Sequence, residues 1–449
     1  MTNLKKLLWA TCFALFSLLT INSCSEDSTK PNNIIVFGEN MVSYDVEYSD
    51  HTFVLSENRK KSLIRVDTNK VTEIDPNTGD EITVKYFDFT FDDVSLADSL
   101  ENGGIIIIHG DYMSKIKNIS KSGGTLKVET EPATLKEAVK NGKIEWHITP
   151  DLGLIDKIEI NGKDVKANRT LDDGYEYEFE WLDRKYKIWM NPKGTSANGL
   201  PELQVNLTCQ KIDSDNGRVT ATLGAKGTTR LPRQNTLIEI KDNDMTTMNT
   251  SNKSLRSELT LEYVAEMTFG GTQVITLPNI TLKIPVQSLT AVPIPIPMYI
   301  NVGVAFSTTI NMPVVTSFAT AKVKLILDSD TGFEYEGPTV NASAKINEYD
   351  LGEAAWDIGA ITLAPTPLEV RYDISCPRVG IELAGQEFAW LAGVFSCRNK
   401  LIVPSLCKAA LYQVRIDGGY SFSVLGYSLA ENSGAITEVS RQETSPECE

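Results

Sequence analysis

Apolar and polar residues alternate along most of this 449-residue chain, and long stretches with a helical period are nearly absent. Because neighbouring side chains of a β-strand point to opposite faces of a sheet, this alternation predicts strands. The clearest example is residues 82–91, where Phe87, Phe89 and Phe91 share one face. Turn residues such as those at 122–124 separate the segments. The sequence therefore predicts an all-β protein of antiparallel, sandwich-like or barrel-like sheets.

One segment is predicted to be a short helix. Thr134 and Glu137 have the spacing of a capping box, in which each side chain bonds the backbone of the other residue. Gly142 follows where a left-handed C-terminal cap would end the helix. We expect this to be the one short helix in the β structure.

A change in composition predicts two regions. Residues 242–253 are polar and rich in Thr, Asn and Met, which is typical of a linker. The segment before it, 34–241, is predicted to be an N-terminal β region of one or two subdomains. The segment after it, 254–449, is predicted to be a C-terminal β domain.

The C-terminal region contains a long charge-free stretch, from Ile284 to Ala321. Its alternating residues, together with the strand that follows, predict a β-hairpin over 300–327. Such a hairpin has two interpretations: a pair of central sandwich strands, or a membrane-inserting hairpin with an apolar and a polar face. We favour the sandwich strands, because core strands are common and pore-forming hairpins are rare.

The N-terminus has the pattern of a secretion signal. Lys5 and Lys6 precede an apolar run at 7–19 that is too short to span a bilayer. The run is followed by Ile21-Asn22-Ser23-Cys24, an aliphatic residue and a small-residue cleavage site before a cysteine. Residues 1–23 are therefore predicted to be removed.

These residues resemble the lipobox of bacterial lipoproteins, in which the cysteine thiol accepts diacylglycerol. Glu26 and Asp27 directly after Cys24 resemble the acidic export signal of Bacteroidota-type surface-exposed lipoproteins. The resemblance implies lipidation at Cys24, a polar tether at 24–33 and attachment to the outer membrane, facing the medium. We expect the protein to be attached to the membrane, its expected partner, through this N-terminal lipid anchor.

The charge of the chain excludes one class of ligand. The formal net charge is −16, and it becomes about −18 once the segment with Lys5 and Lys6 is removed. Nucleic-acid binding needs lysine and arginine stripes that neutralise phosphates. We therefore expect no nucleic-acid partner.

Five cysteines follow Cys24, and an oxidising compartment favours their pairing. Cys397 and Cys407 are close enough in sequence to close a local loop, and Cys376 could reach either of them from a neighbouring strand. These three are the candidates for a disulfide. The other two cysteines are Cys209 and Cys448.

Catalytic motifs are missing from the sequence. The three histidines, His51, His109 and His147, have no metal-ligand partner at helical or finger spacing. We therefore predict no catalytic residue, metal site or cofactor. The alternating aromatic residues Tyr175 and Tyr177 begin a candidate sugar-stacking face, although their sharing of one strand face favours a place in the core.

The sequence therefore predicts an outer-membrane-anchored surface lipoprotein that acts by binding or adhesion rather than by catalysis. A glycan or another cell-surface macromolecule is the expected ligand class. Two alternatives from other classes stay open. One is a membrane-inserting, pore-forming effector, and the other is a glycoside hydrolase whose two carboxylates are hidden among the many acidic residues.

Overall fold

The computed structural model describes most of the chain after the expected signal and tether. The described residues are 33–37, 40–74, 81–160, 163–164, 168–169, 174–181, 184–195, 200–212, 219–267, 271–276, 279–289, 294–312, 317–336, 339–360, 367–402, 406–427 and 432–448. Cys24 and the predicted signal segment 1–23 lie outside them. The residues from Ile34 to Glu449 form one compact unit, distinct from Met1–Asn33.

The described residues form an all-β fold of curled, mainly antiparallel sheets, as the alternation predicted. Its two α-helices in this part of the chain are each one turn long, α1 (Glu57–Lys60) and α2 (Leu135–Ala138). Five 3₁₀ turns accompany them in the described segments. They are Val94–Asp98, Leu152–Leu154, Val286–Leu289, Ser423–Leu425 and Pro446–Cys448.

The predicted helix is present as α2, and its capping box is formed from both sides. The Thr134 side chain accepts from the backbone N–H of Glu137, and the Glu137 side chain accepts from that of Thr134. The helix ends earlier than expected, because Val139 already has an extended backbone. Gly142 is therefore a strand residue rather than a helix cap. Helix α1 was not predicted.

The largest sheet has thirteen strands and is called the large sheet. In chain order its strands are β1 (Asn33–Phe37), β2 (Asn40–Tyr48), β9 (Val139–Ile148), β12 (Asn168–Arg169), β13 (Tyr175–Trp181), β14 (Arg184–Thr195), β15 (Pro201–Ile212), β16 (Val219–Arg230), β17 (Arg233–Lys241), β18 (Asp244–Met267), β22 (Ser317–Glu336), β23 (Thr339–Asp350) and β24 (Ala354–Ala360). Strand β18 lies at its centre and pairs with β16, β17 and β22.

The second sheet has nine strands. They are β10 (Lys157–Ile160), β11 (Lys163–Asp164), β19 (Gly271–Thr276), β20 (Ile280–Pro285), β21 (Met298–Met312), β25 (Leu368–Leu383), β26 (Gln386–Ile402), β27 (Cys407–Tyr420) and β28 (Asn432–Thr444). Strands β25 to β28 form a meander of neighbouring antiparallel pairs.

The small sheet has six strands. They are β3 (Thr52–Leu55), β4 (Leu63–Ile74), β5 (Glu81–Phe91), β6 (Ile105–Ile108), β7 (Tyr112–Ser122) and β8 (Thr125–Glu131). Strands β3 and β6 are parallel, whereas the other pairs in this sheet are antiparallel. All four isoleucines of β6 are buried. Ile105 and Ile107 face the main core, whereas Ile106 and Ile108 face a separate core of the small sheet.

The main core lies between the large sheet and the second sheet. Their contact is close at Gly393 of β26, where an added Cβ would lie 3.2 Å from Leu327 and 3.5 Å from Leu255 of the large sheet. Each fully buried Leu or Ile side chain in such a core contributes about 1.5–3 kcal/mol. The molecule is therefore a sandwich, and each of the two sheets has an outer face turned away from the shared core.

The large sheet bends across its middle. Strands β16 and β17 lie end to end along β18, since Arg230 pairs with Arg256 and Arg233 with Lys253. At the junction β18 is bulged, and Ser254 has a positive φ of 61°. The Ser254 N–H that the bulge frees donates to Asp330 Oδ1 of β22 at 2.9 Å. Bulges of this kind increase the local twist and bend the strand.

Residues 242–253, predicted to be a linker, are instead part of this sheet. Asp242 and Asn243 form the turn between β17 and β18, and the following ten residues begin the 24-residue strand β18. Polar residues here face both sides of the sheet, so the segment lacks the apolar alternation of a strand.

The charge-free segment forms core strands but not a hairpin. Strand β21 belongs to the second sheet and β22 to the large sheet, so the chain passes from one layer to the other between them. Ile300, Val302 and Val304 are at most 3% exposed. The predicted pairing is therefore wrong, whereas the predicted core position is correct for these side chains.

A candidate binding groove on the large sheet

The disulfide differs from the expected set. Cys407 is bonded to Cys448, with Cα atoms 4.5 Å apart. The C-terminal 3₁₀ turn after β28 brings Cys448 back to the start of β27. Cys376 and Cys397 are free and buried, because both face the core. Burial raises the pKa of the Cys376 thiol to about 12, so it is protonated and unreactive at neutral pH.

The aromatic residues on β13 are not an exposed sugar platform where the structure describes them. Tyr177 is buried in the main core and Tyr175 packs against it. Tyr186 of the neighbouring strand β14 is also buried there. The core interpretation is therefore correct for Tyr175 and Tyr177, and a binding site must be sought elsewhere.

Two of the three histidines each lie beside a glutamate. His51 Nδ1 lies 2.5 Å from Glu101 Oε1 at the surface, where the carboxylate raises the pKa of His51. His109 Nδ1 lies 2.9 Å from Glu57 Oε1 at the junction of β6 and α1. The third histidine, His147, lines a depression on the large sheet.

This depression is a cavity of about 510 Å³ on the outer face of the large sheet. It crosses five neighbouring strands, β9, β17, β18, β22 and β23, and we call it the polar groove. Its polar lining side chains on that outer face are Glu145, His147, Asn235, Asn249, Ser251, Lys253, Asp330, Glu334, Ser343 and Lys345. The volume is within the range of about 300–1,000 Å³ that is usual for small-ligand sites.

Strand register explains why these residues meet. His147 pairs with Asn235, Asn235 with Ser251, Ser251 with Gly332, and Gly332 with Ser343. Directly opposed residues in antiparallel strands point to the same face. A row of hydrogen-bonding side chains therefore runs across the floor of the groove, although its members are up to about two hundred positions apart in sequence.

Hydrogen bonds fix the first part of this row. His147 Nδ1 lies 2.8 Å from Asn235 Oδ1, and His147 Nε2 lies 3.2 Å from Glu145 Oε1. Asn235 Nδ2 donates to Ser251 Oγ at 3.3 Å. Burial raises the pKa of Glu145, but hydrogen bonds from Lys143 and His147 more than offset it and lower the pKa overall. Glu145 is therefore an ionised acceptor at the groove wall.

Gly332 leaves the middle of the groove floor without a side chain. A Cβ at this position would lie 2.8 Å from the backbone oxygen of Thr250, closer than a real contact allows. The row consequently has a gap between Ser251 and Ser343, and the backbone of β22 is the floor there. Only glycine fits without moving the neighbouring strand.

A second polar row lies directly behind the groove, inside the core. Trp146 Nε1 donates to Gln234 Oε1 at 3.0 Å, Gln234 Nε2 to Asn252 Oδ1 at 3.4 Å, and Asn252 Nδ2 to Thr331 Oγ1 at 3.5 Å. The four residues belong to β9, β17, β18 and β22. Because buried polar groups need their partners, this row holds the four strands in one register and thereby positions the groove residues.

The groove has a nearly balanced set of charges. Glu145, Asp330 and Glu334 are the acids among the described lining residues, and Lys253 and Lys345 are the lysines.

The described residues contain no grouping of three or more His, Cys, Asp or Glu side chains suited to holding a metal ion. Within the same residues, no helix is long and apolar enough to cross a membrane.

Comparisons with known proteins give no assignment. No family model, no curated protein and no solved structure matches this chain.

Proposed function

We propose that this protein is a lipid-anchored lipoprotein of the outer membrane that faces the medium and binds a glycan non-catalytically in the polar groove. The lipobox-like segment ending at Cys24 and the acidic residues after it support the proposed localisation. The polar groove supports the mode of action. The single observation that carries the proposal is the row of hydrogen-bonding side chains across five strands of one sheet face.

The chemistry of the groove favours a ligand rich in hydroxyl groups. A hydroxyl both donates and accepts, so it can use carboxylates, amides, lysines and other hydroxyls as partners. The groove offers each of these groups within one surface: carboxylates at Glu145 and Glu334, an amide at Asn235, an ammonium at Lys253 and a hydroxyl at Ser343. Balanced charge favours a neutral glycan over a strongly charged ligand.

The shape of the site also suits a polymer. A depression that crosses five adjacent strands accepts a ligand lying along the row rather than one that must be fully enclosed. Preorganisation by the His147–Asn235–Ser251 contacts reduces the ordering cost on binding. Both properties are consistent with capture of an extended glycan at the cell surface.

Substitution of Asn235 by Ala tests the proposal. The change removes the amide between His147 and Ser251 in the row, and loss of one or two ligand hydrogen bonds should weaken glycan binding about five- to tenfold. Glycan-array screening would identify a ligand, and calorimetric titration would then compare wild type with the variant. Incubation with the same glycan should give no cleavage products.

The matched control is Glu262→Gln, which changes another outward side chain of β18 that does not line the groove. It should bind as wild type does. If Asn235→Ala and Glu262→Gln both bind with unchanged affinity, the ligand lies elsewhere. If no glycan binds, the proposed ligand class is wrong.

A further inference from the structure

The second sheet has a groove of its own on its outer face. Two adjoining cavities of about 530 and 350 Å³ lie over β21, β25, β26, β27 and β28, and both are lined by Arg371 and Arg415. Arg398 lines the larger one. We call this surface the arginine groove, because three arginines from three adjacent strands line it.

Two of these arginines are placed against each other. Arg371 of β25 and Arg398 of β26 are directly paired in the strand register, so their side chains leave the sheet on the same face. Like charges directly opposite on neighbouring strands are destabilising. Each arginine has one carboxylate partner, and an anion between the two guanidinium groups would offset the repulsion that remains.

Acidic partners hold the arginines in place but leave donors free. Arg371 Nε donates to Asp373 Oδ2 at 2.7 Å, and Arg398 Nη2 donates to Glu369 Oε2 at 2.7 Å. Arg398 Nε is buried and has no hydrogen-bond partner in the described part of the chain. About 40% of each of these two side chains is exposed to the groove and the solvent.

The third arginine is fixed more deeply. Arg415 Nε donates to Asp417 Oδ1 at 2.9 Å, and Arg415 Nη1 donates to Ser396 Oγ at 3.3 Å. Ser396 in turn donates to Asp373, which is almost fully buried. The groove therefore has a rigid floor of alternating guanidinium and carboxylate groups beneath the exposed Arg371–Arg398 pair.

We propose that the arginine groove binds the carboxylate of a uronic acid residue in an acidic glycan. The inference rests on the proposed function for its ligand class, but it assigns a second site with a different specificity. The ligand carboxylate lies between Arg371 and Arg398, where it accepts from the free edges of both guanidinium groups. The hydroxyls of the same sugar donate to Asp417 and Glu438 on the neighbouring strands.

The alternation of charge in the groove favours an acidic sugar over an acidic peptide. A uronic acid has an anionic carboxylate and several hydroxyl donors on one ring, which match arginines beside carboxylates. A run of Asp or Glu side chains has no such donors and would meet Asp373, Asp417 and Glu438 with like charge. The formal net charge of −16 on the whole chain also opposes general attraction of anions, so local arginines must supply the selectivity.

Binding of an oligogalacturonide and of a neutral galacto-oligosaccharide of the same length to the intact mature protein tests this inference. Wild type should bind the oligogalacturonide at least about tenfold more tightly than the neutral oligosaccharide. Arg371→Gln and Arg398→Gln should each remove most of that preference. Arg371→Lys retains the charge but loses the planar guanidinium group, and should remove part of the preference for the oligogalacturonide.

Arg65→Gln is the matched control, because it removes the same charge from an exposed side chain of the small sheet. Thermal melting of each variant checks folding. If wild type binds both oligosaccharides equally, or if Arg371→Gln and Arg398→Gln keep the full preference, the inference is wrong. Equally tight binding of poly-glutamate would overturn the assignment to an acidic glycan.

Failure of this inference is distinguishable from failure of the proposed function. If the neutral oligosaccharide binds and Asn235→Ala weakens it, while the acidic one gains nothing from the arginines, only the second site is rejected. If neither type of glycan binds, the proposed function itself is rejected.

Discussion

Lys283 shows how single residues join neighbouring strands of the second sheet. Its Nζ lies 3.2 Å from Glu159 Oε1 and 2.8 Å from Glu382 Oε2, and all three side chains are close to fully buried. Asn301 Nδ2 also donates to Glu382, at 3.0 Å. Burial lowers the pKa of Lys283, but the two carboxylates raise it by more, so its pKa is raised overall and the lysine remains charged.

Substitution of Lys283 by Met should destabilise the protein strongly. The change leaves two buried carboxylates without their counter-ion, and breaking a buried ion pair in this way costs about 3–5 kcal/mol. Urea unfolding would measure the loss. The matched control Lys322→Met removes an exposed lysine of β22 and should change the free energy of unfolding by about 0.5 kcal/mol or less.

The deficit of Lys283→Met should depend on pH in a defined direction. Two buried carboxylates without a cation have pKa values raised above those of the unfolded chain, so their contribution to stability is lost as pH rises through these values. The deficit should therefore be smaller at about pH 5 than at about pH 7. A deficit that grows on acidification would contradict this account of the cluster.

The residues of the polar groove were not predicted as a site, for a physical reason. His147 was considered only as a metal ligand and rejected, and Asn235, Ser251 and Ser343 had no motif to mark them. Each is an ordinary outward polar position of its own strand. Only strand register brings them together, and register over such separations depends on tertiary packing rather than local sequence.

Among the elements, β18 is the central strand of the large sheet. It is 24 residues long and pairs along both edges, with β16 and β17 on one side and β22 on the other. The interior polar row from Trp146 to Thr331 crosses its N-terminal half. This row fixes the register of the strands that line the polar groove and so determines the geometry of the groove.

Substitution of Gln234 by Leu should therefore destabilise the large sheet. It leaves the buried Trp146 Nε1 and Asn252 Oδ1 without their partner, and each such group costs about 1–3 kcal/mol. Chemical denaturation would measure the change. Gln210→Leu, the same substitution at an outward-facing position of β15, should cost about 0.5 kcal/mol or less. A Gln234→Leu protein as stable as wild type would show that the row does not fix the strands.

At this scale the sequence predicted strands well and their pairing poorly. Alternation identified the buried face of β21 correctly, because inward Ile and Val residues leave a clear period of two. The N-terminal half of β18 was assigned to a linker, because its inward positions include Thr250 and Asn252, which are polar yet buried. The partner of β21 was misassigned, because sequence neighbours need not pair when the chain crosses between two layers.

For the whole molecule, the anchor at Cys24 and the two outer sheet faces belong to one proposal. In this proposal, the all-β unit is held at the cell surface by lipid, with both grooves open to the medium. The compact unit from Ile34 onward and the all-β architecture are properties of the structure, whereas the anchor is proposed from the sequence.

Substitution of Cys24 by Ala should abolish lipidation. The thiol is the proposed acceptor of diacylglycerol, so the variant should remain unprocessed or become soluble rather than partition into detergent. Metabolic labelling with a radioactive fatty acid and Triton X-114 partitioning would measure both effects. Cys209→Ala, at a buried cysteine within β15, is the control and should label as wild type does. Unchanged labelling of Cys24→Ala would disprove the anchor.

Covalent blocking of the polar groove tests the central claim most directly. The described free thiols are buried, so a cysteine introduced at the exposed position Ser343 can be labelled selectively with a bulky maleimide. Labelled Ser343→Cys should bind the glycan at least about tenfold more weakly than the same protein unlabelled. Labelled Glu262→Cys, outside the groove on the same sheet face, should bind with unchanged affinity. Full glycan affinity of the labelled Ser343→Cys protein would contradict the assignment of the polar groove as the binding site.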